Sequence, residues 1–253
     1  MCIRDRIYTE LIEKIHNNQV NLGIIGLGYV GLPLAIHFKE LGCLVHGFDI
    51  DEDKINKLNN GTSYINHIEE KDIEKLIQNG NFSTSDFSKI SDMDILFVCV
   101  PTPIDEQRNP FMGHIIDTAE AISKYLRKNQ LVLIESSTYP GTTNELIKPI
   151  LEKSGLICHE DFYLAYSPER EDPGNKKFDI RSIPKVVGAD NPKSLEIALE
   201  IYSKLTKTFA MNSSYEAEAV KLTENIFRSV NIALVNELKV IYDDMNIDVW
   251  NVI

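Results

Sequence analysis

Three closely spaced glycines near the N-terminus have the types and spacing to bind a phosphate. Gly26, Gly28 and Gly31 follow an apolar run and open a stretch of helical periodicity. In such a turn the first glycine permits a tight bend, the second lets the backbone approach a pyrophosphate, and the third lets helix and strand pack closely. The helix start adds backbone N–H groups and the positive end of a dipole. We therefore predict a dinucleotide site at this turn, with Tyr29 and Val30 inside it.

A carboxylate suited to binding a ribose ends the second apolar run. Asp49 lies eighteen residues after Gly31, where a carboxylate accepts hydrogen bonds from the adenosine ribose hydroxyls. Asp51 lies nearby and no arginine immediately follows, so a 2′-phosphate would meet negative charge. The sequence predicts NAD rather than NADP as the cofactor, with a flavin or methyl-donor site as the alternative.

Two further groups of polar residues could act on a substrate. Lys221 and Asn225 stand four residues apart in a stretch of helical periodicity, so they share a helix face that Arg228 extends by one turn. A cation beside an alcohol oxygen stabilises a developing alkoxide, and an amide can position it. Glu169, in a loop after a predicted strand, could act as a general base, with Arg170 beside it. The alternative for each is an ordinary solvated side chain.

The elements that must position these residues alternate between apolar strands and amphipathic helices. Such alternation predicts an α/β fold, a Rossmann-type doubly wound parallel sheet. The predicted strands are 21–25, 44–49, 94–100, 131–135, 162–166 and 185–188. The predicted helices are 3–18, 29–41, 51–59, 115–127, 143–153 and 193–205.

A different pattern follows residue 212. Residues 214–244 contain neither glycine nor proline and predict one long helix, which is typical of a connector into another domain. We therefore divide the chain into an N-terminal extension (1–20), an NAD-binding Rossmann domain (21–212) and the start of a helical dimerisation domain (213–253). Val220, Phe227, Leu234 and Ile241 on the long helix would suit packing in a homodimer.

Composition limits the classes of partner. The 253 residues carry a net charge of −12, which disfavours general binding to nucleic acid or to anionic membranes. No apolar run approaches the roughly 18–20 residues that span a bilayer, and residues 1–19 lack the apolar core of a signal peptide. The four cysteines show no CxxC spacing, which favours reduced thiols in a cytoplasmic protein without a metal site: Cys2, Cys43, Cys99 and Cys158.

Five sequence blocks, in order, resemble the UDP-sugar 6-dehydrogenases, a family of nucleotide-sugar dehydrogenases. The blocks are GLGYVGLP (26–33), VPTPI (100–104), ESSTYPGTT (135–143), SPEREDPGN (167–175) and KLTENIFRSVNIALVNELK (221–239). The resemblance implies oxidation of a sugar C6 alcohol to a carboxylate by two molecules of NAD, in polysaccharide precursor synthesis. The fourth block is similar to the branch that acts on UDP-N-acetylhexosamines. UDP-N-acetylglucosamine is favoured, with the mannosamine and galactosamine epimers and UDP-glucose left open.

The resemblance also implies roles for individual residues. Lys221 would stabilise the alkoxide at C6 and Asn225 would position it, while Glu169 would act as the general base for thioester hydrolysis. Thr138 and Thr102 would contact the cofactor, Thr138 at the nicotinamide end or through a catalytic water. The expected contacts with the substrate are Lys221, Asn225 and Glu169, together with Arg170 and Arg228.

The sequence departs from the family pattern at the nucleophile. These enzymes trap an aldehyde on a cysteine in a glycine-rich loop, some fifty residues beyond the position of Lys221, and this chain stops first. We expect an N-terminal fragment that lacks the UDP-binding C-terminal domain and binds NAD without completing catalysis. The alternatives are a non-catalytic NAD-binding module and another Rossmann enzyme such as a β-hydroxyacid dehydrogenase, which lacks the 167–175 block.

Overall fold

An eight-stranded sheet with helices packed on it fills the residues that the computed structural model describes, which are 3–78, 80, 82–169 and 182–252. The strands are β1 (Asn21–Ile25), β2 (Leu44–Phe48), β3 (Ser83–Thr84), β4 (Ile95–Val98), β5 (Leu131–Ile134), β6 (Tyr163–Tyr166), β7 (Lys185–Gly188) and β8 (Thr208–Met211). The α-helices are α1 (Ile3–His16), α2 (Gly31–Glu40), α3 (Glu52–Asn59), α4 (Glu70–Ile77), α5 (Gly113–Tyr125), α6 (Lys148–Leu151), α7 (Pro192–Ser203) and α8 (Ser214–Asp244). A π-helical segment, Thr142–Ile147, leads directly into α6, and 3₁₀ turns cover Phe87–Asp92, Glu152–Ser154 and Val249–Asn251.

The sheet has the strand order β3-β2-β1-β4-β5-β6-β7-β8. β4, β5 and β6 are buried at every position, because helices cover both faces of the sheet. The strand order reverses between β1 and β4, where the chain crosses from one half of the sheet to the other. Such a switch point opens a crevice at the carboxyl ends of the strands. The predicted α/β class with a long connecting helix is confirmed.

One edge of the sheet departs from the predicted parallel arrangement. β7 pairs antiparallel with β6, at Tyr166 and Gly188, and β8 pairs parallel with β7. The last two strands therefore run against the other six. A four-residue apolar strand does not itself encode its direction, which depends on the connection that precedes it. β3, β8 and α4 were not predicted, since β3 has two residues and β8 is a half-exposed edge strand.

The first helix packs into the domain although the prediction placed it in an extension. α1 lies against α7, and its side chains Leu11 and Ile15 are buried in the larger hydrophobic core. The ammonium of Lys14 also lies 3.0 Å from the carboxylate of Asp94, which precedes β4. Burial of these apolar side chains contributes to the stability of the sheet.

The long helix divides into a buried start and an exposed continuation. Ser213 caps α8 by accepting a hydrogen bond from the backbone N–H of Glu216, and Ala217 and Glu218 are buried. Val220 is partly buried against the domain's own second core, and its place in a dimer surface stays a prediction. Beyond it α8 exposes Phe227 and other apolar side chains. Within the described residues, no helix has both the length and the apolar composition to cross a membrane.

Candidate cofactor and catalytic site

A cleft of about 1040 Å³ lies at the carboxyl ends of the central strands. It is lined by the glycine turn between β1 and α2 and by the residues that follow β2, β4, β5 and β6. The walls include Gly26, Asp49, Thr102, Ser136 and Glu169. Strand order therefore brings together side chains from residues 26 to 169, and the volume suits a dinucleotide-sized ligand.

The glycine turn has the geometry that a close backbone approach requires. Gly26 has φ +89°, a left-handed conformation, and a Cβ on it would lie 2.9 Å from the carbonyl oxygen of Cys99. A Cβ on Gly31 would lie 2.0 Å from the carbonyl oxygen of Gly26, so α2 packs on the turn only with glycine there. A Cβ on Gly28 would meet nothing within 4 Å. The turn is therefore closed on its protein side at Gly31 and open on its cleft side at Gly28.

The two residues between these glycines also line the cleft. Val30 is the N-cap of α2 and provides no side-chain hydrogen bond there, so the first N–H groups of α2 are not capped by that side chain. Tyr29 is 60% exposed, and its ring stacks on His67 with centroids 6.0 Å apart. Both residues are positioned as the glycine motif predicts, although their contacts with a ligand remain predictions.

Asp49 is held at the end of β2 by backbone donors. Its carboxylate accepts hydrogen bonds from the N–H of Leu27 at 2.9 Å and from the N–H of Asp51 at 3.0 Å. The ammonium of Lys54 lies 3.7 Å from Asp49 and 3.9 Å from Asp51. The sequence reasoning missed Lys54, which lies one turn along α3 and partly offsets the negative charge expected there.

At the other end of the cleft, hydroxyl groups link the loops after β4 and β5. Thr102 donates a hydrogen bond of 2.6 Å to the carbonyl oxygen of Ser137, and Ser136 donates one of 2.7 Å to the carbonyl oxygen of Val100. Thr102 thus lines the cleft as predicted, with its hydroxyl directed at the neighbouring loop. Cys99, the residue after β4, also lines the cleft.

A buried ionic cluster lies beneath this end and was not predicted. The ammonium of Lys185 lies 2.8 Å from the carboxylate of Glu135 and 3.5 Å from that of Glu169. Tyr202 donates a hydrogen bond to Glu135, and Lys185 lies over the Tyr202 ring. Both carboxylate residues line the cleft. A lysine at the start of an apolar strand could have indicated a buried charge in the sequence. The sequence did not indicate which carboxylates would pair with it.

Charge and burial act against each other in this cluster. Burial raises the pKa of Glu135, Glu169 raises it further, and Lys185 opposes the rise. Burial alone would lower the pKa of Lys185, but the two carboxylates raise it overall. Lys185 is therefore a charged lysine in the protein interior, and the Glu135 carboxylate retains a proton more readily than it would in water.

The long helix brings Lys221 to the same place. Its ammonium donates a hydrogen bond to the backbone carbonyl oxygen of Glu169, which joins two candidate catalytic residues that are 52 positions apart. Asn225 and Arg228 lie one and two turns further along α8, exposed and outside the lining of the cleft. Arg170 lies outside the described residues.

Thr138 is held by a second buried carboxylate that sequence reasoning missed. Glu218 on α8 accepts hydrogen bonds from the N–H of Gly141 at 2.7 Å and from the N–H and hydroxyl of Thr143 at 2.9 and 2.6 Å. The Thr138 hydroxyl lies 3.5 Å from the same carboxylate and outside the cleft lining. Burial raises the pKa of Glu218, and these hydrogen bonds oppose the rise. Glu218 fastens the loop after β5 to α8.

The cysteines that the structure describes are buried. Cys43, Cys99 and Cys158 are free thiols, and burial raises the pKa of Cys158 to about 12. A thiol with such a pKa is a poor nucleophile at neutral pH. In the described parts of the chain, His, Cys, Asp and Glu form no group of three or more that could hold a metal ion.

The fold and the cleft first define a class, a Rossmann-type dinucleotide-binding domain continued by a long helix. Residues 20–206 match the NAD-binding domain of the UDP-glucose/GDP-mannose dehydrogenase family, and residues 215–253 match its central domain. The chain belongs to this family of NAD-dependent oxidoreductases. The predicted family and the predicted cofactor, NAD, are confirmed.

Individual relatives differ in the sugar that they are named for. The chain is 39% identical over 233 residues to UDP-N-acetyl-D-glucosamine 6-dehydrogenase of Pseudomonas aeruginosa, covering 90% of this chain and 54% of that protein. It superposes on UDP-D-ManNAc dehydrogenase of Pyrococcus horikoshii with a TM-score of 0.85 at 32% identity, covering 92% and 56%. It superposes on an NDP-N-acetyl-D-galactosaminuronic acid dehydrogenase of Methanosarcina mazei with a TM-score of 0.80 at 34% identity, covering 95% and 55%. The chain thus spans about half the length of the relatives it matches.

Proposed function

We propose that this chain is the cofactor-binding part of an enzyme that oxidises the C6 alcohol of a UDP-N-acetylhexosamine to the uronic acid, with UDP-N-acetylglucosamine as the favoured substrate. The observation that carries the proposal is the meeting of Lys221 and Glu169 beside the cleft. The three sugars named for its relatives are all N-acetylhexosamines or their uronic acids, which supports the substrate class. The PEREDPGN block favours the same class.

We propose that NAD lies along the cleft with its two halves on either side of the switch point. The adenosine end would be formed by Asp49, Asp51 and Lys54, and the pyrophosphate would lie against Gly28, where the turn is open. The nicotinamide end would be formed by Glu135, Ser136 and Glu169, which all line the cleft. NAD bound in this direction supplies a hydride acceptor next to the candidate catalytic residues.

Each candidate catalytic residue would have a task set by its position. The ammonium of Lys221, which donates a hydrogen bond to the Glu169 carbonyl, would stabilise negative charge on the C6 oxygen. Asn225 would position the same oxygen from the next turn of α8. The Glu169 carboxylate would accept the proton of an attacking water. Thr138, held through Glu218, would fix the loop that faces them.

The catalytic experiment uses the protein that carries this chain. Incubation with NAD and each of four sugars (UDP-N-acetylglucosamine, its two epimers and UDP-glucose) should give about two NADH per sugar, and the highest kcat/KM with UDP-N-acetylglucosamine. Lys221→Met should lower kcat by at least about a hundredfold, the loss typical of a group that stabilises transition-state charge. Lys239→Met, an exposed lysine on the same helix, is the matched control and should leave kcat unchanged. Equal effects of the two variants would contradict the role of Lys221.

The 253-residue chain by itself should bind NAD and release no uronic acid. Its described thiols are buried, and none lies in a glycine-rich segment that could trap an aldehyde. Two NADH per sugar from the isolated chain would contradict this expectation. Retained binding of NAD without turnover would agree with it.

We also propose that α8 pairs two copies of the protein. Phe227, Val230, Leu234 and Ile241 are all at least half exposed and fall within one side of the helix. An exposed apolar stripe of this kind marks an interaction surface, and a helix packing on its own copy gives a closed dimer. The free thiols favour a reducing compartment, so we place the dimer and its polysaccharide-precursor chemistry in the cytoplasm.

The dimer is tested by introducing one negative charge on either side of α8. Phe227→Asp should convert a dimer to a monomer in analytical ultracentrifugation, because it puts a carboxylate in the apolar stripe. Asn236→Asp adds the same charge nine residues later, half a turn around α8, and should leave the dimer intact. A monomeric wild-type protein would contradict the proposal outright.

A further inference from the structure

The oxidised and reduced forms of NAD differ in charge at one end only. The nicotinamide ring carries a positive charge in NAD+ and none in NADH, whereas the adenosine and pyrophosphate are the same in both. A charged group near the nicotinamide end therefore changes the relative affinity for the two forms. A charged group at the adenosine end changes both affinities together.

The buried cluster under the nicotinamide end has an unequal number of charges. It contains one lysine and two carboxylates, with side-chain exposures of 2% for Lys185, 0% for Glu135 and 10% for Glu169. With all three ionised the net charge is −1, and both carboxylate residues line the cleft. Interactions with buried charges are screened less than interactions with surface charges.

We propose that the cluster of Glu135, Lys185 and Glu169 makes the cleft bind NAD+ more tightly than NADH, and that Glu135 supplies the excess negative charge. Lys185 is fully used in pairing, since it lies between the two carboxylates and neutralises only one of them. The cluster would favour binding of the oxidant and release of the reduced cofactor. This inference rests on NAD binding in the proposed direction along the cleft and is independent of the sugar that is oxidised.

The preference should depend on pH through Glu135. The described groups that face it are Lys185 from β7, Glu169 after β6, Tyr166 in β6, Tyr202 from α7 and, through Lys185, Cys99 after β4. Burial, followed by Glu169, raises the pKa of Glu135 to about 7 against the opposing charge of Lys185. Below that pH the cluster is neutral, and above it the cluster carries −1. The preference for NAD+ should therefore rise as the pH rises through neutrality.

The test is the ratio of two dissociation constants, measured by calorimetry for NAD+ and by fluorescence for NADH on the purified chain. Glu135→Gln should reduce the preference for NAD+ on the order of tenfold at about pH 8.5. This is the effect expected when one buried charge beside the nicotinamide ring is removed. Its ratio should also lose its dependence on pH. Asp51→Asn removes the same charge at the adenosine end and should leave the ratio unchanged. An unchanged ratio in Glu135→Gln, or an equal change in Asp51→Asn, would overturn the proposal.

A double variant separates charge from folding. Glu135→Gln with Lys185→Met removes one negative and one positive charge, so Glu169 alone restores the net −1 of the wild type. Its ratio at about pH 8.5 should return toward the wild-type value. If Glu135 has only a structural role, the double variant should prefer NAD+ no more strongly than the single variant does. That result would overturn the proposal. Circular dichroism on both variants confirms that the ratios describe folded protein.

Discussion

The two ends of the cleft hold their carboxylates differently. At the proposed adenosine end, Asp49 is held by two backbone N–H groups and a partly exposed lysine. At the proposed nicotinamide end, Glu135 is held by a buried lysine and a tyrosine. The first arrangement is local, because the donors lie within a few residues of a strand end. The second joins three strands and a helix. One half of the cleft is therefore built by a turn, and the other half by long-range pairing of charges in the interior.

The largest expected effect comes from removing the buried lysine, compared with removing the partly exposed one. Lys185→Met leaves two buried carboxylates without their cation and should lower the free energy of unfolding by about 3–5 kcal/mol. Lys54→Met removes a lysine that is 36% exposed and 3.7 Å from Asp49, and should cost no more than about 1 kcal/mol. Urea denaturation of both variants measures the difference. Similar losses would show that the two ends are held alike.

A smaller effect is expected within the turn itself. Gly31→Ala places a Cβ 2.0 Å from the carbonyl oxygen of Gly26, so the strain should cost about 3 kcal/mol. Gly28→Ala meets nothing within 4 Å and should leave the free energy of unfolding nearly unchanged. It should nevertheless weaken NAD binding, because the methyl group would project into the cleft. Thermal unfolding with and without NAD separates the two effects, and a stable Gly31→Ala variant would contradict the packing argument.

The smallest expected effect is the pH dependence of stability at the nicotinamide end. Burial raises the folded-state pKa of Glu135 from the usual 4.5 to about 7, so folding takes up a proton between these values. The contribution of Glu135 to stability is therefore complete below about pH 4.5 and is lost as the pH rises through about 7. Relative to Glu135→Gln, the wild-type protein should lose about 2 kcal/mol over that range. Parallel pH profiles of unfolding for the two proteins would show that Glu135 does not titrate there.

The amino-acid sequence by itself determined the features that depend on neighbours in the chain. The glycine spacing at 26–31, the carboxylate at Asp49 and the uninterrupted helix over Ser214–Asp244 were all predictable, because turn geometry, strand ends and helical periodicity are local. The family blocks predicted the NAD-dependent dehydrogenase family to which the chain belongs. They could not supply the direction of β7, which depends on a connection that four residues do not specify.

Which distant charged residues form contacts depends on the tertiary structure. Lys185 and Glu135 are 50 residues apart, and Glu218 reaches the loop at Gly141 from 77 residues away. In the sequence each of these residues is one charged side chain among many, since 25% of the chain is charged. Burial turns them into specific pairs, because an ionised group in the interior is tolerated only beside a matching partner. The fold thus selected the charges that surround the proposed nicotinamide end, while the sequence had already indicated the glycine turn at the other end of the cleft.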